Sequence, residues 1–236
     1  MMVWEVLELL ETYGKLLVRL LLTAVLFAIC FLWGTKEVFS PGAYAQPSLI
    51  LDAGHGGEDG GAVSPMGAKE STINLDIVLR LDQMLGLLGE GSLMLREEDI
   101  SLHDPQSRTL REKKVSDLKN RAEAVNANPD ATLVSIHQNS YPETKYRGTQ
   151  VFYSPTEGSQ QLAQKLQTGV RTALQPDNTR QEKQIPDTVY LMNHISNRAV
   201  LVECGFLTNP EEEQLLQQPD YQRKFALVLA VKLMSE

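Results

Sequence analysis

Apolar positions along this chain fall into short unbroken runs that alternate with stretches repeating every three or four residues. Ser48 to Ala53 reads SLILDA and stops at Gly54, which suits a buried strand. Beyond it, Ile73, Ile77, Leu81, Met84, Leu85 and Leu88 recur at helical spacing, so a helix is predicted with Ser71 or Thr72 as its cap and Glu70 just ahead of it. The same reading predicts strands at Ser92 to Leu95, Ala131 to Ile136, Gly148 to Tyr153, Thr188 to Leu191 and Ala199 to Val202. It predicts helices at Val115 to Asn126, Ser159 to Leu174 and Tyr221 to Met234.

Strands alternating with amphipathic helices imply an α/β domain, residues 46–236, with a mostly parallel or mixed central sheet and helices on both faces. In such sheets ligands gather at the carboxyl ends of strands. The preceding residues 1–45 have a different pattern. Lys15 and Arg19 come before the apolar run LLLTAVLFAICFLW at 20–33, and a polar stretch then ends in Ala43-Tyr44-Ala45. That is a signal-peptide plan, while the length of the run leaves a retained membrane anchor open. A buried core helix is the bland alternative, but the run lacks a polar face. Signal and anchor alike place residues 46–236 outside the cytoplasm, and an uncleaved segment would make the membrane a partner.

The chain has 236 residues, 42% hydrophobic and 22% charged, enough for one well-buried domain. Its net charge of -8, with no basic stripe, argues against nucleic acid as a partner. Cys30 and Cys204 both lie in apolar runs and offer no evident disulfide, and Cys204 reads as a small core residue.

Three of the predicted strands lead directly to His55, His137 and Glu203, and Glu70 opens the first helix. Parallel strands would bring all four to one sheet edge. Two imidazoles and a carboxylate can hold a catalytic zinc ion with a fourth position open, leaving a second carboxylate to act as base. On spacing alone the signal is weak, since a histidine after a strand is often a hydrogen-bonded turn residue and an acidic residue suits any helix N-terminus. The glycines of GHGGEDGG allow tight turns and close approach of backbone, but no helix follows them at once, so a phosphate loop is a poor reading. Asp52 either orients a metal-bound histidine or bonds turn amides. His194 reads as an exposed loop histidine, with substrate contact as the rival, and His103 as a solvated loop residue.

The flanking strings narrow these choices. LDAGHGGEDGGA (51–62), ESTINL (70–75), SIHQN (135–139) and LVECGFLTNPEE (201–212) occur in that order. Together they resemble the catalytic core of the zinc-dependent N-acetylmuramoyl-L-alanine amidases, from about Ser48 to the C-terminus. NRAEAVN, SIHQN and ECGFLTN resemble the spore-cortex subgroup most. Ala53, Ser71 and Arg198 depart from residues common in the family, and none is at a ligand position.

The resemblance implies one Zn2+ per chain held by His55, Glu70 and His137, with Glu203 as the catalytic base. It implies hydrolysis of the amide between N-acetylmuramic acid and L-alanine in peptidoglycan, as the first step towards muramic lactam in spore cortex. An accessory lipoprotein and a downstream muramic acid deacetylase are the implied partners, and the cell wall or forespore envelope the implied location. Arg96 and Arg121 are similar to family arginines, either pairing with carboxylates or binding an acidic stem peptide. The alternatives in other classes are a non-catalytic peptidoglycan-binding module of the same fold and a zinc carboxypeptidase acting on the stem peptide.

Overall fold

In the computed structural model, residues 13, 14, 17, 19, 21–25 and 47–235 are described. The chain divides into two units, Met1–Ala45 and Gln46–Glu236. In the first, the described residues are helical and exposed, and Thr23 Oγ1 donates to the Arg19 carbonyl at 2.7 Å. Most of the apolar run at 20–33 and the Ala-x-Ala site lie outside the described residues. Among the described residues no helix is long and apolar enough to cross a membrane.

The second unit is built on six strands: β1 (Leu49–Ala53), β2 (Ser92–Met94), β3 (Thr132–Asn139), β4 (Gln150–Tyr153), β5 (Lys183–Gln184) and β6 (Ala199–Phe206). Their order across the sheet is β2-β1-β3-β6-β4-β5. β2, β1, β3 and β6 run parallel, and β4 enters antiparallel to β6, so the sheet is mixed. Six helices accompany it: α1 (Glu70–Leu87), α2 (Leu110–Asn126), α3 (Ser159–Ala173), α4 (Tyr190–Asn193), α5 (Pro210–Leu216) and α6 (Pro219–Met234).

Alternation along the central strands divides the core in two. Leu51, Ala53, Val134, Ile136, Val200 and Val202 join an apolar cluster with residues of α1, α3 and α6. Ile50, Leu133, Ala199 and Leu201 point the other way, into a smaller cluster with Ala122 and Val125 of α2 and Leu191 and Met192 of α4. Asp52 and Ser135, register partners in β1 and β3, share that second face, and Ser135 Oγ donates to Asp52 Oδ2 at 2.6 Å.

Several expectations are corrected. The α1 cap is Lys69, without a side-chain cap bond, rather than Ser71 or Thr72. The first amides are satisfied by loop carbonyls instead: Glu70 N donates to Ala62 O at 2.9 Å and Ser71 N to Gly60 O at 3.0 Å. Thr188 to Leu191 is not a strand. One helical turn, α4, lets the adjacent Leu191 and Met192 reach the same apolar cluster, whereas strand neighbours would point to opposite faces. α2 starts five residues before Val115, where Thr109 and Glu112 form a reciprocal capping box. α5 was not foreseen, although Asn209 caps it and Pro210 opens it.

Candidate metal centre

His137 and Glu203 do not follow their strands but lie within them, paired in register across β3 and β6. Both strands run past the apolar segments that revealed them, to Asn139 and Phe206, because backbone pairing continues through the polar residues. β1 stops at Ala53, level with Ile136, so Gly54 comes beside His137.

That position has no room for a side chain. A Cβ on Gly54 would lie 2.1 Å from His137 Cε1. Gly54→Ala is therefore expected to displace the ring and weaken divalent metal binding roughly 10- to 100-fold, as loss of ligand orientation does elsewhere. Metal titration read beside the circular dichroism spectrum checks this, with the spectrum expected to stay folded.

His55 adopts φ 63°, the left-handed region, and is the one non-glycine residue to do so among the described residues. Two buried arginines hold this strained turn. Arg121 donates to Ala53 O at 3.0 Å and His55 O at 2.8 Å, and Arg96 to Ala53 O at 2.8 Å and Gly54 O at 3.1 Å. Arg121 also pairs with Asp52 and, at 2.8 Å, with Asp117. Arg96 is 2% and Arg121 1% exposed, so neither can meet a stem peptide; of the two readings, Arg121 takes the carboxylate partners and Arg96 binds backbone.

Glu70, at the start of α1 and buried, brings its carboxylate between the two imidazoles. Its Oε1 lies 2.9 Å from His137 Nδ1 and 3.3 Å from His55 Nε2. The ligand atoms of His55, Glu70 and His137 all lie within 4.8 Å of one another. Glu70 is fixed from behind by Ala62 N at 2.8 Å and Gln138 N at 3.1 Å. A Cβ on Gly61, at φ 67°, would be 2.6 Å from Glu70 Oε2, so the loop backbone presses directly on the carboxylate. Burial opposes ionisation of Glu70, yet the hydrogen bonds and charges of the two histidines hold its pKa well below the usual carboxylate range.

Asp59 is the residue that sequence reasoning missed. Its Oδ2 lies 3.0 Å from His55 Nδ1, leaving Nε2 turned to Glu70. A carboxylate on the far nitrogen fixes the ring and its tautomer. This is the role weighed for Asp52, whose carboxylate is instead taken by Arg121 and Ser135. Spacing of four from His55 in a glycine-rich loop was the available signal. Burial pulls His55 down, but Asp59 and Glu70 raise it to about 9, so the pocket strongly favours positive charge on or beside this ring.

Glu203 stands across from His137. Burial, with Glu70 adding to it against the lowering pull of the histidines, pushes its carboxyl up to about 7. Glu203 Oε2 is buried and has no hydrogen-bond partner among the described residues. A carboxylate left without a partner beside a cation-favouring cluster is available for proton transfer.

The other candidates fall outside the cluster. His194 is exposed, stacked on Tyr190 with ring centroids 3.8 Å apart, and its Nδ1 meets Tyr190 O at 2.8 Å. His103 Nδ1 contacts Ser101 Oγ at 2.9 Å, and Cys204 is buried.

Residues 49–232 match the N-acetylmuramoyl-L-alanine amidase family. Among curated proteins, the germination-specific N-acetylmuramoyl-L-alanine amidase of Bacillus subtilis (strain 168) is 35% identical over 181 residues, covering 75% of this chain and 74% of that protein. Among solved structures, the CwlD amidase of Clostridioides difficile, determined in complex with the GerS lipoprotein, is similar at a TM-score of 0.75 and 36% identity. The match covers 78% of this chain and 95% of that one. The amidase AmiC2 of Nostoc punctiforme shares the fold at a TM-score of 0.68 and 24% identity, over 81% of this chain and 97% of that one.

Proposed function

Because this chain belongs to the N-acetylmuramoyl-L-alanine amidase family, we propose that it hydrolyses the muramoyl–L-alanine amide with one zinc ion held by His55, Glu70 and His137. The observation that carries this reading is the convergence of two imidazole nitrogens and one carboxylate oxygen, with Glu203 unpartnered beside them. Two nitrogens and an oxygen suit zinc and leave a fourth position for water. When bound, zinc would acidify that water and polarise the scissile carbonyl.

The protein's own groups then account for the proton movements. Glu203 accepts a proton from the attacking water and delivers it to the departing L-alanine nitrogen, so that a free amine leaves with the peptide. Asp59 keeps the His55 ring oriented through Nδ1. Arg96 and Arg121 hold the strained His55 backbone from beneath.

Likeness to the germination-specific enzyme of Bacillus subtilis and to CwlD supports spore-cortex peptidoglycan as the substrate and an extracytoplasmic location. A lipoprotein partner is proposed on the same ground, as is a deacetylase acting on the exposed muramic acid. A signal or membrane-anchor role for residues 1–45 belongs with this reading.

The test is metal content of residues 46–236, paired with mass spectrometry of digested cortex peptidoglycan. About one zinc per chain and release of peptides beginning with L-alanine are expected. Shortening of stem peptides from their carboxyl end would favour a carboxypeptidase. Absence of zinc and of cleavage, with partners supplied, would leave a binding module.

A further inference from the structure

Two small cavities, of about 130 and 90 Å³, are lined by residues of the candidate centre, the first by His55 and Asp59 and the second by His55 and His137. A larger one, about 410 Å³, lies on the β4 side and is lined by Tyr146, Arg147, Asn178, Arg180 and Glu211. β4 runs antiparallel to β6, so the loop ending at Thr149 lies at the same sheet edge as the carboxyl end of β6. β5 is parallel to β4, so the loop preceding Lys183 lies there too.

We propose that this larger cavity binds a carboxylate of the stem peptide, with Arg180 as its main recognition residue; the proposal rests on the amidase reading above. The scissile bond joins a glycan to a peptide, so the two halves of the substrate must leave the centre in different directions. Phe206 lies three residues beyond Glu203 along β6, about 10 Å at strand rise. The Arg180 guanidinium sits over its ring, 4.8 Å from the centroid. An extended peptide covers about 3.3–3.6 Å per residue, so a stem running this way presents its second or third residue to Arg180. The γ-linked glutamate at the second position of a stem carries a free carboxylate unless amidated, and a diaminopimelate at the third carries another.

The donors suit that ligand. Arg180 Nε donates to Arg147 O at 2.9 Å, which fixes the guanidinium plane, and its terminal nitrogens have no hydrogen bond or ion pair among the described residues. A planar fork held in this way matches a carboxylate. Arg147 meets Glu211 at 3.3 Å with both side chains exposed, a pair weak enough for an entering carboxylate to displace.

The walls are already set. Buried Asn178 donates to Thr149 O at 2.9 Å and accepts from Arg180 N at 3.0 Å. Buried Glu212 is held by Gly148 N and Phe206 N, each at 2.8 Å, so its charge is engaged by backbone. A preformed pocket spends little ordering entropy on its ligand.

The test uses the zinc-loaded full chain and two muropeptides that differ only in having stem carboxylates free or converted to carboxamides. The ratio of kcat/KM between them is expected to favour the free acid roughly 10- to 100-fold, mainly through KM, as for a hydrogen bond to a charged group. Arg180→Gln should bring that ratio close to one, and Arg180→Lys should keep part of it. A wild-type ratio near one, or a ratio that Arg180→Gln leaves intact, overturns the proposal, and a general folding defect would lower both rates without moving their ratio. Calorimetry with the released stem peptide separates the two readings. Binding that weakens in Arg180→Gln supports the subsite even if neither muropeptide is cut, whereas cleavage with Arg180-independent binding sinks the subsite alone.

Discussion

Glu203→Gln is expected to lower turnover roughly 10³-fold while zinc content stays at the wild-type level, because the substitution removes a proton acceptor and no proposed ligand. The side chain keeps its shape, and its buried oxygen had no partner to lose among the described residues. The register pairing of His137 with Glu203 keeps the position next to the candidate metal cluster without placing it inside. Single-turnover rates on a soluble muropeptide, measured beside metal analysis of the same sample, check both halves. Loss of zinc together with activity would move Glu203 into the ligand set. Retention of activity would remove it from the chemistry.

The second large effect is on stability. Arg121→Met should cost about 3–5 kcal/mol, the usual penalty for leaving one partner of a buried ion pair uncompensated. Here the stranded groups are Asp52 and Asp117, along with the carbonyls of Ala53 and His55. Urea unfolding at neutral pH reads the loss, and an Asp52→Asn companion should recover part of it by removing the orphaned charge. The pair has a pH signature of its own. Burial disfavours the Asp52 carboxylate, but Arg121, His137 and Ser135 together hold its pKa below the usual value. A carboxyl whose pKa falls on folding stabilises the protein above its unfolded value, about 4, and that stabilisation is lost as the pH drops through the folded one. Wild type should therefore lose stability in acid faster than the Asp52→Asn variant.

Much of this was legible in the residues, and the limits have physical causes. α1 was readable because its core-facing positions keep helical spacing for five turns, and β1, β3 and β6 because they are apolar on both faces. Their ends were not readable: His137 to Asn139 and Glu203 to Phe206 carry polar or glycine residues, yet the ladder between β3 and β6 continues across them with a bulge. β5, two residues long and exposed, has no hydrophobic pattern to find. The four motif residues were visible because each sits in its own recognisable string. Asp59 was not, and Arg96 and Arg121 were visible as arginines with carboxylate partners in prospect but not as a clamp on the His55 turn, since that role comes from convergence across the sheet. Arg96 and Arg121 reach the same carbonyl, that of Ala53, from 43 and 68 positions further along the chain.

The position of β6 also bears on the order in which the sheet can be completed. His55, Glu70 and His137 have all emerged by the end of β3, but β6 is the last strand made and is inserted between β3 and β4. Until residue 206 is available, β3 and β4 have no strand between them, so the sheet closes last at its centre and the pairing that sets Glu203 opposite His137 is the last to form.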